Sequence, residues 1–132
     1  MRKLFILALS MSFLVGCKAA FNQAPILELK EQPVQAALSA NQMEKCIMTA
    51  GVRLGWEMNK LEDGLIEGTL NIRTHTAVVD IPYSAKSYSI IYKRSVNLDD
   101  NGQGTINKGY NRWVRNLDKE IATNIVAESY NK

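Results

Sequence analysis

The sequence predicts an α+β fold: a two-layer sandwich in which an antiparallel meander of about four strands carries two helices on one face, in the order αββββα. Three observations lead there. Apolar residues recur at helical spacing around residues 40–54 and again around residues 110–125. The stretch between alternates apolar and polar residues with a period of two. Turn-forming residues cut it into pieces of strand length.

The first helix is expected over Ala40–Leu54. Ser39 and, three positions on, Gln42 form a capping box, which satisfies amide donors that a helix start leaves orphaned. Met43, Cys46, Ile47, Ala50 and Leu54 then fall on one face. Gly55 suits the left-handed residue that ends a helix. Gly51, inside the pattern, signals either an earlier end or the close approach of another element.

The strands are expected at Trp56–Leu61, Leu65–Arg73, Thr76–Tyr83 and Tyr88–Arg94. Glu62-Asp63-Gly64 has the chemistry to close the first hairpin. Leu70 and Ile72 alternate with Thr69, Asn71 and Arg73 in the second strand. Ala77, Val79, Ile81 and Tyr83 share a face of the third, and Tyr88, Ile90 and Tyr92 a face of the fourth. Pro82 has no amide donor, so the third strand should end or bulge there, or turn its amide side to solvent. A polar loop, Asp99–Gly104, leads to the second helix. Its stripe of Tyr110, Trp113, Val114, Leu117, Ile121 and Ile125 runs over about four turns, with Arg112, Arg115, Asp118, Lys119 and Glu120 on the remaining surface. The aromatic residues of that stripe read as core anchors.

Ahead of this domain lies a leader. Arg2 and Lys3 precede an apolar run, Leu4–Val15, interrupted only by Ser10 and Ser12. Its length fits the roughly 7–15 residues of a secretory signal and falls short of the roughly 20 needed to span a bilayer. The run ends in Leu14-Val15-Gly16-Cys17, which resembles the lipobox of bacterial lipoproteins. That resemblance implies a thioether-linked lipid on Cys17, cleavage after Gly16, and acylation, palmitate for example, of the new amino terminus. A diacylglycerol with an amide-linked chain exceeds the two signals that stable anchoring takes. Lys18, not Asp, follows the cysteine. By the same resemblance, this implies transfer to the outer membrane of a two-membrane cell, facing the periplasm. The expected division is a signal peptide over 1–16, a lipidated tether over 17–38 and a single α+β domain over 39–132. Pro25, Pro33 and the lack of a sustained period mark the tether, although Ile26-Leu27-Glu28-Leu29 could add an edge strand or dock on the domain.

The formal charge of +3 owes two units to Arg2 and Lys3. Without them it is about +1, so nucleic acid is not an expected partner. With Cys17 lipidated, Cys46 has no intramolecular partner, and its helix face predicts burial.

His75 is the sole histidine. A single imidazole cannot build a metal site, and a Cys–His nucleophile pair is disfavoured by the burial expected of Cys46. The chain carries no nucleophile elbow, phosphate-binding glycine loop or CxxC pair, and no cofactor is expected. Glu62-Asp63 and Asp99-Asp100 are turn formers first. From Asp99 the loop places oxygen ligands at positions one, three and five and Gly104 at six, like half an EF-hand. Its twelfth position is Tyr110 in place of a bidentate Glu, and a strand precedes it, so no metal is expected.

Further segments carry a second resemblance: Trp56 after a glycine, Arg73-Thr74-His75, Val79-Asp80-Ile81-Pro82-Tyr83, Tyr88-Ser89-Ile90-Ile91-Tyr92, Ser95-Val96-Asn97-Leu98 and Tyr110–Leu117. Over most of the mature chain this pattern is similar to a family of small Gram-negative lipoproteins. The resemblance implies an envelope location and a fold; that family has no assigned biochemical role. Asn107 departs from it, standing where a basic residue or His is expected.

Two functional readings follow. The first is a tethered, non-catalytic envelope module that binds an envelope protein or peptidoglycan. Its candidate surface is the sheet face or edge left open by the helices, with Arg73, His75, Lys93 and Arg94. The second is an envelope hydrolase or small-ligand receptor with a pocket at His75. A structural lipoprotein self-linked through Cys46 is a third.

Overall fold

The computed structural model describes residues 22–131; the leader and the lipidation expected at Cys17 lie outside them. The chain is α+β. In order it forms β1 (Gln23–Pro25), β2 (Leu29–Pro33), α1 (Ala40–Arg53), β3 (Glu57–Glu62), β4 (Leu65–Ile72), β5 (His75–Pro82), β6 (Ser87–Val96), β7 (Thr105–Asn107) and α2 (Lys108–Ser129). Strands β3 to β6 are the expected meander. A fifth strand extends it, giving the order β2-β6-β5-β4-β3, and β1 pairs with β7 in a separate two-stranded sheet.

The amino-terminal segment is the main departure from expectation. Residues 23–33, expected within the tether, form β1 and β2, and Ile26, Leu27, Leu29, Val34 and Ala36 pack against the core. Leu38 is itself buried. Three residues in β1 are too few to show a period, and Pro25 and Pro33 sit at strand ends, where a missing donor costs least. In β2 a register shift between Leu29 and Gln32, with Glu31 at φ 49°, breaks the alternation. Segments this short form only because β6 and β7, far along the chain, supply their partners.

Period-two alternation sorts the meander into two faces. Ile66 and Leu70 of β4, Ala77, Val79 and Ile81 of β5, and Tyr88 and Ile90 of β6 join one core with the apolar faces of both helices. The opposite face is polar around a buried Val78: Lys93 Nζ lies 2.7 Å from Glu67 and 3.2 Å from Asp80, and an Arg94 guanidinium nitrogen 3.9 Å from Glu67.

Helix α1 starts as expected. Ser39 Oγ accepts from the Gln42 amide at 3.1 Å, and Gln42 Oε1 accepts from the Ser39 amide at 2.8 Å. Met43, Cys46, Ile47, Ala50 and Gly51 are buried. The second alternative for Gly51 is the one realised: the Met58 side chain of β3 fills the space a Cβ would need. Leu54, expected within the helix, caps it, and Gly55 follows at φ 87°. At the other hairpin end Gly64, at φ 83°, makes the expected β3–β4 turn, and β5 ends at Pro82.

Helix α2 is capped by Asn107, whose Oδ1 accepts from the Gly109 amide at 2.8 Å. It runs antiparallel to α1: Arg53 meets Glu120 at 2.6 Å, the Asn124 amide reaches the Cys46 carbonyl at 3.0 Å, and Lys45 lies 3.7 Å from Glu128. The carboxyl end of α1 therefore lies beside the middle of α2, whose opening turns run on past it. No helix among the described residues is long and apolar enough to cross a membrane.

Candidate ligand-binding cleft

At the end of the sheet where β4 turns into β5, the amino end of α2 leaves a cleft of about 330 Å³. It is lined by Arg73 and His75 from the turn, Leu98 and Asn107 from the β6–β7 connection, and Arg112 and Trp113 from α2. A two-residue turn, Arg73-Thr74, joins paired Ile72 and His75. Arg73 sits at φ 56°, a left-handed conformation that glycine or asparagine adopts far more readily than arginine. Strand β5 begins at His75, one residue earlier than expected. Alternation then places His75 on the face of Ala77, Val79 and Ile81, toward α2.

The imidazole is held in one orientation. His75 Nδ1 lies 2.5 Å from the Asn97 carbonyl, which can only accept, so Nδ1 is the donor in this bond. Asn97 also donates its side-chain amide to Thr74 Oγ1 at 2.8 Å, bracing the turn from the other side. Arg73 and Arg112 are exposed, and no ion pair among the described residues reaches either. The first turn of α2 contains no acidic residue to offset them. The helix's own N-terminal partial charge adds to the same positive field. None of the lining side chains bears a carboxylate, hydroxyl or thiol. The cleft can attract and orient an anion, and its walls contain no nucleophile for His75 to activate.

The structure splits the four candidate residues. Arg73 and His75 share the cleft. Lys93 and Arg94 stand on the opposite, polar face of the sheet, where Glu67 and Asp80 neutralise them. The expectation of one basic patch on the open sheet face is thus corrected. A bulge between Val78 and Val79 sets Arg94 opposite Val78, on the side away from the helices. Arg112 and Trp113 were not singled out as binding residues. Trp113 lies in the stripe read as core, yet it is only half-buried and forms a wall of the cleft. Its neighbour Arg112 was visible only as part of the polar helix surface, and nothing in its local pattern marks it.

Other candidates are committed elsewhere. Cys46 is 3% exposed between the helices, which closes it to a disulfide link between copies, and burial pushes its thiol pKa up, away from the reactive thiolate. Asp100 accepts from the Tyr92 hydroxyl and from the Gly102 amide, and Asn101 Oδ1 accepts from the Gln103 amide. The loop's oxygen atoms are turned onto their own chain instead of toward a common centre. Among the described residues no group of three or more His, Cys, Asp or Glu is placed to hold a metal ion. A larger depression, about 470 Å³, lies at the other end of α2 between Tyr88, Ile125, Val126 and Tyr130. Size alone would favour it, but no cationic or carboxylate side chain lines it to orient a ligand.

No protein-family model matches the chain, and no curated protein or solved structure is significantly similar to it.

Proposed function

We propose that the chain is a cell-envelope lipoprotein, anchored through lipid on Cys17 to the outer membrane and facing the periplasm, whose domain is a non-catalytic binding module. The carrying observation is the cleft: two guanidinium groups without ion pairs among the described residues converge on a concave site that also holds an oriented imidazole and an indole. Arginine suits such a site, because its planar fork matches carboxylate or phosphate oxygens. The ligand is an anionic component of the envelope, borne by a partner protein, by peptidoglycan or by a small molecule.

Photo-crosslinking from position 108, an exposed position at the start of α2 between the lining residues Asn107 and Gly109, tests the binding role in intact cells. The expected result is one defined adduct that disappears in Arg73→Asn. Labelling with only abundant bystanders would sink the reading. The anchor has its own test: mass spectrometry of the membrane-bound protein should show a triacylated amino-terminal Cys17, and Cys17→Ala should prevent processing.

A second reading, a hydrolase acting through His75, draws support from an imidazole held through Nδ1 by the Asn97 carbonyl beside a cleft. It requires the nucleophile to be water. His75→Gln should then abolish turnover of an envelope substrate without weakening its capture.

A further inference from the structure

The basic cleft does not end at Trp113. A second cavity, about 200 Å³, adjoins it and shares Ile72 and Trp113 as walls. Its remaining lining is Leu54 at the end of α1, Trp56, Leu70 and Asn116. Together the two cavities make one furrow with chemically different halves. One half presents Arg73, His75 and Arg112; the other is walled by Trp113, Leu54 and Ile72 and floored by the buried Trp56 and Leu70. Trp113 stands at the boundary and belongs to both.

We infer that the furrow takes a small amphipathic anion: a carboxylate or phosphate joined directly to an apolar group. The head lies between Arg73 and Arg112, and the apolar group enters the trench between Trp56 and Trp113. This deepens the binding-module reading and rests on it. A free inorganic anion would leave the apolar half unfilled, and a neutral amphiphile would forgo the charge-assisted bonds of the two exposed guanidinium groups. Each half therefore selects against a ligand that satisfies only the other. The topology adds a reason for this class of ligand. Asn107, on the wall of the basic half, pairs with Gln23 of β1. Cys17 is six residues further back, at most about 20 Å of extended chain. In a lipid-anchored protein the furrow then works close to a bilayer, where amphiphiles with anionic heads are concentrated.

The only two tryptophans of the chain, Trp56 and Trp113, both line the apolar half, so intrinsic fluorescence reports its occupancy directly. The experiment titrates the full chain, held in phosphatidylcholine nanodiscs, with octyl phosphate, octanoate, octyl glucoside and inorganic phosphate. Octyl phosphate or octanoate should shift the emission saturably. The better of the two, which identifies the head group, should bind at least about tenfold more tightly than either octyl glucoside or inorganic phosphate. Arg112→Gln, at an exposed position, should weaken that binding by about tenfold or more. Arg94→Gln, on the far face of the sheet, should leave it unchanged. Octyl glucoside binding as tightly as the charged amphiphiles would overturn the inference, as would the absence of any saturable shift. Inorganic phosphate binding equally tightly, and still lost in Arg112→Gln, would overturn the amphiphile while leaving the cleft as an anion site. The crosslinking experiment decides that broader reading separately.

Discussion

Asn111 holds Leu27 as a neighbouring strand would. Its Oδ1 accepts from the Leu27 amide at 2.9 Å, and its Nδ2 donates to the Pro25 carbonyl at 2.8 Å. Asn111 is 5% exposed, so both bonds form largely away from water. They satisfy the carbonyl of Pro25, the last residue of β1, and the amide of Leu27 in the connection to β2. Removing one partner of a buried hydrogen bond costs about 1–3 kcal/mol. Asn111→Ala breaks two, and should lower stability by about 2–4 kcal/mol in urea unfolding. Hydrogen exchange at the Leu27 amide should accelerate more than exchange in β4 or β5. Uniform acceleration would mean that the clamp does not act locally.

Two buried tyrosines should respond oppositely to loss of their hydroxyls. The Tyr110 hydroxyl is buried without a hydrogen-bond partner, its ring edge-on to Tyr92 at 5.4 Å. Tyr88 donates to Asp118 Oδ1 at 2.6 Å, tying β6 to α2. Tyr110→Phe removes an uncompensated polar group and should be neutral or stabilising by about 1 kcal/mol. Tyr88→Phe loses a bond to a charged acceptor and should destabilise by about 1–2 kcal/mol. Thermal unfolding of the pair distinguishes them. Marked destabilisation by Tyr110→Phe would reveal a partner for that hydroxyl.

Arg73 should trade stability for binding. Its left-handed backbone is unfavourable for arginine and tolerated by asparagine. Arg73→Asn should therefore raise stability by about 0.5–1 kcal/mol while weakening ligand capture. A variant both less stable and weaker in binding would show that the arginine is there for the turn.

Stability should fall at both ends of the pH range. The Lys93 ammonium holds the Glu67 carboxyl below its ordinary pKa, and Lys60 does the same for Glu44. A lowered folded-state pKa contributes stability above the ordinary carboxylate value, lost as pH falls through the folded one. Glu67→Gln should flatten the acid side of a melting-temperature profile below about pH 4.5. Burial, more than the bond to Asp118, pushes the Tyr88 phenol well above its usual range, and burial does the same to Tyr110. A raised value contributes stability below the ordinary phenol pKa and loses it as pH rises beyond. The alkaline limb should begin near pH 10, and Tyr110→Phe should move it upward.

Local chemistry made most of the framework legible. The Ser39–Gln42 box, the stripe from Tyr110 to Ile125 and the alternation of Ala77, Val79 and Ile81 each state their structure within a few residues. What escaped depends on partners far along the chain. Leu27 and Asn111 are 84 positions apart. Strands β1 and β7 are three residues each, too short for a period to register. The cleft was half visible: Arg73 and His75 are adjacent to a turn, but Arg112 and Trp113 reach them only because α2 lies antiparallel to α1. Lys93 and Arg94 shared their sign with Arg73, and sign carries no information about which face of a sheet a residue occupies.

The pairing of β1 with β7 gives the domain a mechanical character. Any pull on the amino terminus enters the fold at Gln23, and passes first into three ladder pairs with Thr105–Asn107 and then into the Asn111 clamp. Both lead into the opening turns of α2, where Arg112 and Trp113 stand. Tension at that end is thus delivered to the part of α2 that forms one wall of the furrow, ahead of the central meander. If the proposed anchor holds the protein by that end, the load runs through the cleft proposed to bind its ligand.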